Sequence, residues 1–181
     1  MCTAFEGGRA EGAVASLAVT GQTVLAIDIG GTKLAAGLVD RSGRLLAHRQ
    51  VPTGHLANGQ GDKLFGALAG LVDQVLAQAR ADGHPAPDRC GVGSGGPMTP
   101  GGEEVSPLNI AAWRDFPLRA RLRDHTGLDT YVDNDAKALA RAEGWRGAAR
   151  GVDDYLAMVV STGVGGGVVV DGRLLEGAAG N

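Results

Sequence analysis

Cysteine is nearly absent from this chain, and the two present, Cys2 and Cys90, stand alone. Neither has CxxC spacing, so they do not suggest a zinc site, and two lone thiols do not make a disulfide framework. A reducing, cytoplasmic setting is the resulting expectation. A basic excess is missing as well. Lys and Arg number 17 against 20 Asp and Glu, a formal net charge of −3, which gives no electrostatic reason to expect a nucleic-acid partner. No apolar run approaches the ~20 residues of a membrane helix, so no membrane partner is expected. Glu6, Arg9 and Glu11 interrupt any apolar stretch of a signal peptide. Residues 1 to 21 read as a weakly structured tail to which no function attaches. Two nucleotide-binding patterns are also lacking. The P-loop run of Gly, four residues, Gly-Lys and Ser or Thr does not occur. Gly91-Val92-Gly93-Ser94-Gly95-Gly96 matches the dinucleotide pattern, but that fingerprint needs a helix to follow, and Pro97 and Pro100 prevent one.

What the chain has in excess is glycine, 31 of 181 residues, well above the usual ~7%. The glycines are not spread as in a linker. They cluster in "DIGGTK", "GVGSGG" and "STGVGGG", between apolar runs. Such clusters point to backbone approaching a ligand closely. With 44% hydrophobic residues a real core is available, and the length allows one domain, or one plus part of another.

Hydrophobic patterning divides the chain. Thr23–Ile29, Lys33–Val39 and Arg44–Val51 read as strands separated by the turn chemistry of "GGT" and "DRSG". Asp62–Arg80 places Leu64, Phe65, Leu68, Leu71, Val72, Val75, Leu76 and Ala79 on one face of an amphipathic helix, ended by Gly83 and Pro85. Cys90–Gly93 is a short buried strand, and "GPMTPGG" cannot be a regular element. Phe116–Arg123 reads as a basic helix ending near Gly127, Thr130–Val132 as a strand, and Ala136–Ala149 as a helix with Leu139, Ala142 and Trp145 on one side. Tyr155–Val160 and Val164–Val170 are strands, and the Asp-Gly pair inside Val168–Leu175 is a hairpin signal. The order predicts an α/β fold, a mixed sheet with helices on its faces. The last hairpin has little to pack on, so a second lobe is expected to be opened and cut short. Its apolar face over Val164–Leu175 is expected to self-associate.

Three constellations carry chemistry. At the end of the first strand, Asp28 either starts a turn or serves a ligand. A Gly30-Gly31-Thr32 turn lets backbone N–H groups face an anion. A carboxylate beside it can hold magnesium through water, and Lys33 or Thr32 can meet a phosphate oxygen. Ser161–Gly167 repeats the design: a strand ends, Ser161 and Thr162 supply hydroxyls, and Gly163, Gly165 and Gly166 clear space. By itself this is a glycine-rich bend. As one of a pair, it suggests two loops holding a nucleoside triphosphate. The third is "DND". Asp133, Asn134 and Asp135 lie where a strand meets a helix, and such residues cap helices. Asp135, kept ionised and aimed there, can accept a proton from a substrate hydroxyl. Asn134 offers a donor and an acceptor to sugar hydroxyls.

Together "AIDIGGTK", "GVGSGGP", "NIAAW", "DNDAKALARAEG" and "STGVGGG" resemble, in order and approximate spacing, the ROK family of sugar kinases, which includes bacterial glucokinases and N-acetylmannosamine kinases. The likeness covers about Thr23 to Asn181. It implies an actin-like, ribonuclease-H-like ATPase fold, with residues 22–151 as the N-terminal lobe and residues 152–181 as the start of a truncated second lobe. It implies ATP and Mg2+ as cofactors, a sugar substrate phosphorylated at its 6-hydroxyl, and a homodimer in full-length form. Asp28 to Lys33 would be the first phosphate loop, with Asp28 near magnesium, and Thr162, Gly163, Gly165 and Gly166 the second. Asp135 would be the catalytic base, Asn134 a sugar-binding residue, and Gly96 part of a loop bordering the sugar. Gly95 stands where glucokinase-like members carry a proline, and "GSGGP" is nearer to the N-acetylmannosamine kinase-like form. The family's zinc motif is absent from these residues. A sugar-sensing ROK-type transcriptional regulator and an inactive kinase fragment are the alternatives. A regulator would carry a helix-turn-helix region ahead of the first loop, where no helical pattern occurs.

Overall fold

Alternation of large apolar with small or polar residues makes the first three strands in the computed structural model, which describes residues 23–160 and 163–176. The strands β1 (Thr23–Ile29), β2 (Lys33–Asp40) and β3 (Leu45–Pro52) form an antiparallel meander. Leu25, Ile27 and Ile29 of β1 point into the core, while Val24 and Asp28 take the other face. The turn after β2 is fixed by Asp40, whose Oδ1 accepts from the N–H groups of Ser42 and Arg44.

The helix α1 (Gly61–Ala81) packs across β2 and β3. Its buried residues are those that the periodicity selects, except that Leu76 is only partly buried. It ends at Asp82, and Gly83 has a φ of 75°, which glycine adopts without strain. The chain returns as β4 (Arg89–Ser94), parallel to β1. A long connection then leads to α2 (Leu118–Thr126) and to β5 (Asp129–Asn134), parallel to β4. The connection has its own packing: the Trp113 ring stacks on Phe116 at 4.6 Å, and its indole N–H donates to the Gly61 carbonyl at 3.1 Å. The order of this mixed five-stranded sheet is β3-β2-β1-β4-β5.

The helix α3 (Asp135–Arg146) follows, and then a second, antiparallel sheet of β6 (Tyr155–Val160), β7 (Val164–Val170) and β8 (Arg173–Leu174). The hairpin turn between β7 and β8 uses Asp171 and Gly172 at φ 51° and 70°, the geometry that favours Asp-Gly. The helix α3 packs against β4 and β5 of the first sheet and β6, β7 and β8 of the second.

Two helices differ from the patterning. Pro117 holds the turn before α2, so that helix starts at Leu118 rather than Phe116 and runs to Thr126, with Gly127 left-handed at φ 70°. In α3 the helix stops at Arg146, and the inward face is Ala136, Lys137 and Ala140. Leu139 is half-buried, and Ala142 and Trp145 are exposed. The reason is close approach. A Cβ built on Gly167 of β7 would lie 2.6 Å from the Ala140 Cβ and 2.7 Å from the Ala136 carbonyl oxygen. Only alanines facing glycines allow that spacing, so the small stripe goes inward. Tyr155 ties the far end by donating its hydroxyl to the Ala140 carbonyl at 2.8 Å.

The core is continuous under the first sheet, and among the described residues Ala140, Ala157 and Val169 form a second small cluster. Leu156, Met158, Val164 and Val168 of the second sheet are exposed. Burial pushes the Cys90 thiol up to about 11, so at neutral pH it is protonated and acts as a core residue. Among the described residues no helix is long and apolar enough to cross a membrane.

Gly167→Ala is expected to cost about 1–3 kcal/mol, the range for overpacking a tight contact. Gly163→Ala, with nothing within 4 Å of the added atom, should stay within about 0.5 kcal/mol. Urea denaturation of both variants measures the difference.

Candidate functional site

Three parallel strands end side by side. The register aligns Asp28 of β1 with Gly93 of β4 and Asp133 of β5, and, one residue on, Ile29 with Ser94 and Asn134. The carboxyl ends of parallel strands are where an open α/β sheet presents loops to a ligand.

Beyond β1 the chain turns at once. The Gly30 N–H donates to the Lys33 carbonyl at 3.0 Å, and a Cβ on Gly30 would sit 2.9 Å from that same oxygen. Only glycine fits that position. A Cβ on Gly31 would lie 2.6 Å from the Asn109 Cβ, so the loop is backed by the "NIAAW" segment. Buried Thr53 pins the turn from behind: its hydroxyl donates to the Gly30 carbonyl at 2.7 Å and its N–H to the Thr32 carbonyl at 2.9 Å. Thr32 and Lys33 remain exposed.

At the end of β5 the "DND" residues divide the work. Asp133 Oδ1 accepts from the Asn134 N–H at 2.8 Å. Asn134 is the helix cap, its Oδ1 accepting from the N–H groups of Ala136 at 3.0 Å and Lys137 at 3.4 Å. That engages its acceptor and leaves its NH2 donors for a ligand, narrower than the donor-plus-acceptor role that composition suggests. Asp135 is the first helical residue, not the cap. Its Oδ1 accepts from the Ala136 N–H at 2.8 Å, which directs the exposed carboxylate. Gly93 of β4 lies beneath it: a Cβ there would be in ordinary contact, 3.6 Å from the Asp135 Cα.

Asp28 and Asp135 feel one another. Partial burial first, and then the charge of Asp135, raise the Asp28 carboxyl above its ordinary value, while Lys33 pulls the other way. Two carboxylates and one lysine therefore share a field at the sheet's end.

The loop of Gly95 and Gly96 leaves β4 at the same end, and the Gly96 carbonyl accepts from the Leu108 N–H at 3.2 Å. The second glycine cluster meets the first turn of α3, since a Cβ on Gly165 would lie 3.2 Å from the Ala136 Cβ. Gly165, like Gly166, lies inside β7 rather than in a loop, and Gly165 is a close-packing residue. Gly166 faces the Leu156 side, and Gly163 has open space around it. Thr162 lies outside the described residues. Among the described residues no group of three or more His, Cys, Asp or Glu is placed to hold a metal ion. A concavity of about 460 Å³ between α3 and β6, lined by Leu139, Tyr155, Leu156 and Met158, includes none of the candidate residues.

Patterning missed Thr53 and Asn109. Asn109 had a visible signal, a lone asparagine in an ordered motif. Thr53 had none, because its role exists only once β3 lies beside the turn.

A family model described as "ROK family" matches residues 24–181. An N-acetylmannosamine kinase of Citrobacter koseri is 43% identical over 159 residues, 87% of this chain and 51% of that protein. A ROK hexokinase structure from Thermus thermophilus has 39% identity and a TM-score of 0.74, over 88% of this chain and 50% of the other. A ROK family glucokinase from Streptomyces griseus, in complex with glucose and AMPPNP, has 34% identity and a TM-score of 0.72, over 87% and 47%. The chain spans about half the length of the curated relatives it matches.

The raised Asp28 carboxyl has a consequence for stability. A carboxyl raised by folding contributes stability below its unfolded value, and that contribution is lost as pH rises through its folded value. Asp28→Asn is therefore expected to raise the thermal midpoint at neutral pH, and the gain should vanish below the unfolded carboxylate value of about 3.9. Thermal melts at the two pH values check this.

Proposed function

The chain belongs to the ROK family and has its actin-like, ribonuclease-H-like fold, and we propose that it carries the proton-accepting and phosphate-binding half of an ATP-dependent sugar kinase. One observation carries this reading: a carboxylate, Asp135, is aimed by a helix N-terminus within the field of Asp28, between two glycine clusters that follow strands.

Phosphoryl transfer through a loose transition state asks the protein mainly to position reactants and balance charge. Asp135 accepts the proton of the sugar 6-hydroxyl as that oxygen bonds to the γ-phosphorus. The bond from that phosphorus to the β,γ-bridging oxygen breaks, and ADP leaves with its electron pair. Asn134 donates to a sugar hydroxyl through its NH2 group, and the loop at Gly96 borders the ring. Gly30, Gly31 and Thr32 turn backbone N–H groups toward phosphate, and Lys33 adds a positive charge. Thr162, Gly163, Gly165 and Gly166 form the opposite phosphate contact. Magnesium, when bound, neutralises phosphate oxygens, and Asp28 is the residue that would hold it through water, as suits an ion that keeps most of its hydration shell. The substrate class is an N-acetylhexosamine or hexose, with N-acetylmannosamine first. That preference rests on the "GSGGP" form and on likeness to proteins named N-acetylmannosamine kinase.

The test uses protein expressed from its complete open reading frame. ADP release should depend on sugar, and N-acetylmannosamine should give a higher kcat/KM than glucose. A protein that releases ADP equally with and without every sugar in the panel is not a sugar kinase. In Asp135→Asn, Asn134 still caps the helix, so stability should hold while kcat falls by about 100-fold or more, the lower end for losing a general base. A fall under about tenfold, roughly 1.4 kcal/mol, would reduce Asp135 to a structural residue.

A further inference from the structure

Lys137 is hard to explain by helix formation. It sits three residues after the Asn134 cap, in the first turn of α3, where the helix end is partly positive and acidic residues are favoured. It is nevertheless 3% exposed. A buried ammonium at that place persists only with anionic partners. Two are present. Lys137 Nζ is 3.0 Å from Glu176 Oε2 and 3.8 Å from Asp133 Oδ1, and it donates to the Glu176 carbonyl at 3.4 Å. One helical turn further on, Arg141 reaches Glu176 Oε1 at 3.3 Å. These cations hold the Glu176 carboxyl below the usual range, the Lys137 hydrogen bond contributing most.

Glu176 follows the two-residue strand β8, on the second sheet. Asp133 ends β5 on the first sheet, and Lys137 lies two residues from Asp135. One buried ammonium therefore joins the first sheet, the turn of α3 that bears the candidate base, and the chain leaving the second sheet. We propose that Lys137 is a positioning residue. Its clasp on Glu176 sets where the first turn of α3 lies against the second sheet, and so sets Asp135 relative to the glycine cluster that opens β7. This rests on the kinase reading above for its catalytic consequence, but the clasp itself does not. Reactants held about 3–3.5 Å apart tolerate little displacement of either side, so loosening the clasp slows transfer more than it weakens binding.

The test compares Lys137→Met, Lys137→Arg and Glu176→Gln with the wild type, all from the complete reading frame. Methionine keeps the volume without a charge to dehydrate, so Lys137→Met should not lower the thermal midpoint, whereas Glu176→Gln should lower it by removing the ammonium's anionic partner. In Lys137→Met the backbone amide of Leu175, which donates to the Val168 carbonyl at 2.9 Å, should exchange with solvent about tenfold faster. The kcat should fall by about tenfold, with both KM values within about twofold. Lys137→Arg should restore both readings in large part. Unchanged exchange in Lys137→Met overturns the clasp. Faster exchange with unchanged kcat overturns the positioning role. Wild type that transfers phosphate to no sugar overturns the kinase reading and the catalytic consequence with it, while exchange at the Leu175 amide still decides the clasp.

Discussion

Everything at the candidate site depends on how closely α3 can lie against its neighbours. A helix that packs through large side chains keeps its axis about 8–10 Å from the next element. Here Ala136 and Ala140 face Gly165 and Gly167 on one side, and Asp135 sits over Gly93 on the other. The helix settles so near both sheets that its first turn forms part of the surface where three strands end. Were that contact wider, Asp135 would stand away from the turn after β1 and from the start of β7. The small stripe of α3 costs hydrophobic burial, since alanine and glycine bury little apolar area, and among the described residues the cluster between α3 and the second sheet is small: Ala140, Ala157 and Val169. Proximity has been favoured over core size.

Electrostatics follow from the same crowding. Asp28, Asp133 and Asp135 gather at one end of the first sheet, and partial burial first, then the charge of Asp135, raise the Asp28 carboxyl. The helix N-terminus, Lys33 and Lys137 counter the gathered charge, each differently. The Asn134 N–H holds Asp133, and the first N–H groups of α3 hold Asn134 and orient Asp135. Lys33 stays exposed, available to a phosphate. Lys137 is buried and committed to carboxylates at the end of β5 and just beyond β8. Charge concentrated in this way, at some cost to the protein's own stability, is what functional sites show.

The glycines serve two physical ends that look alike in a sequence. Gly30 and Gly31 permit a turn whose backbone has no room for a side chain. Gly165 and Gly167 permit a helix to press on a strand. Both kinds lie beside a candidate phosphate loop, so close packing and ligand approach are parts of one design: the loop is as near to Asp135 as the glycines behind it let the helix come.

The residues alone determined the strands and α1, because apolar spacing and turn chemistry are local and strong there. They also pointed to Asp28, the Gly30–Lys33 turn and "DND" through ordered motifs at strand ends. What only the tertiary structure decided is what each of those groups touches. The inward face of α3 went to alanines and a lysine, against the pull of Leu139 and Trp145, because the partner strand is glycine. Asn134 rather than Asp135 became the cap, which left Asp135 aimed outward. Thr53, Asn109 and Glu176 entered only when distant segments met. Periodicity reports how one element meets water. It carries no record of how close its partner comes, and at this site closeness assigns the roles.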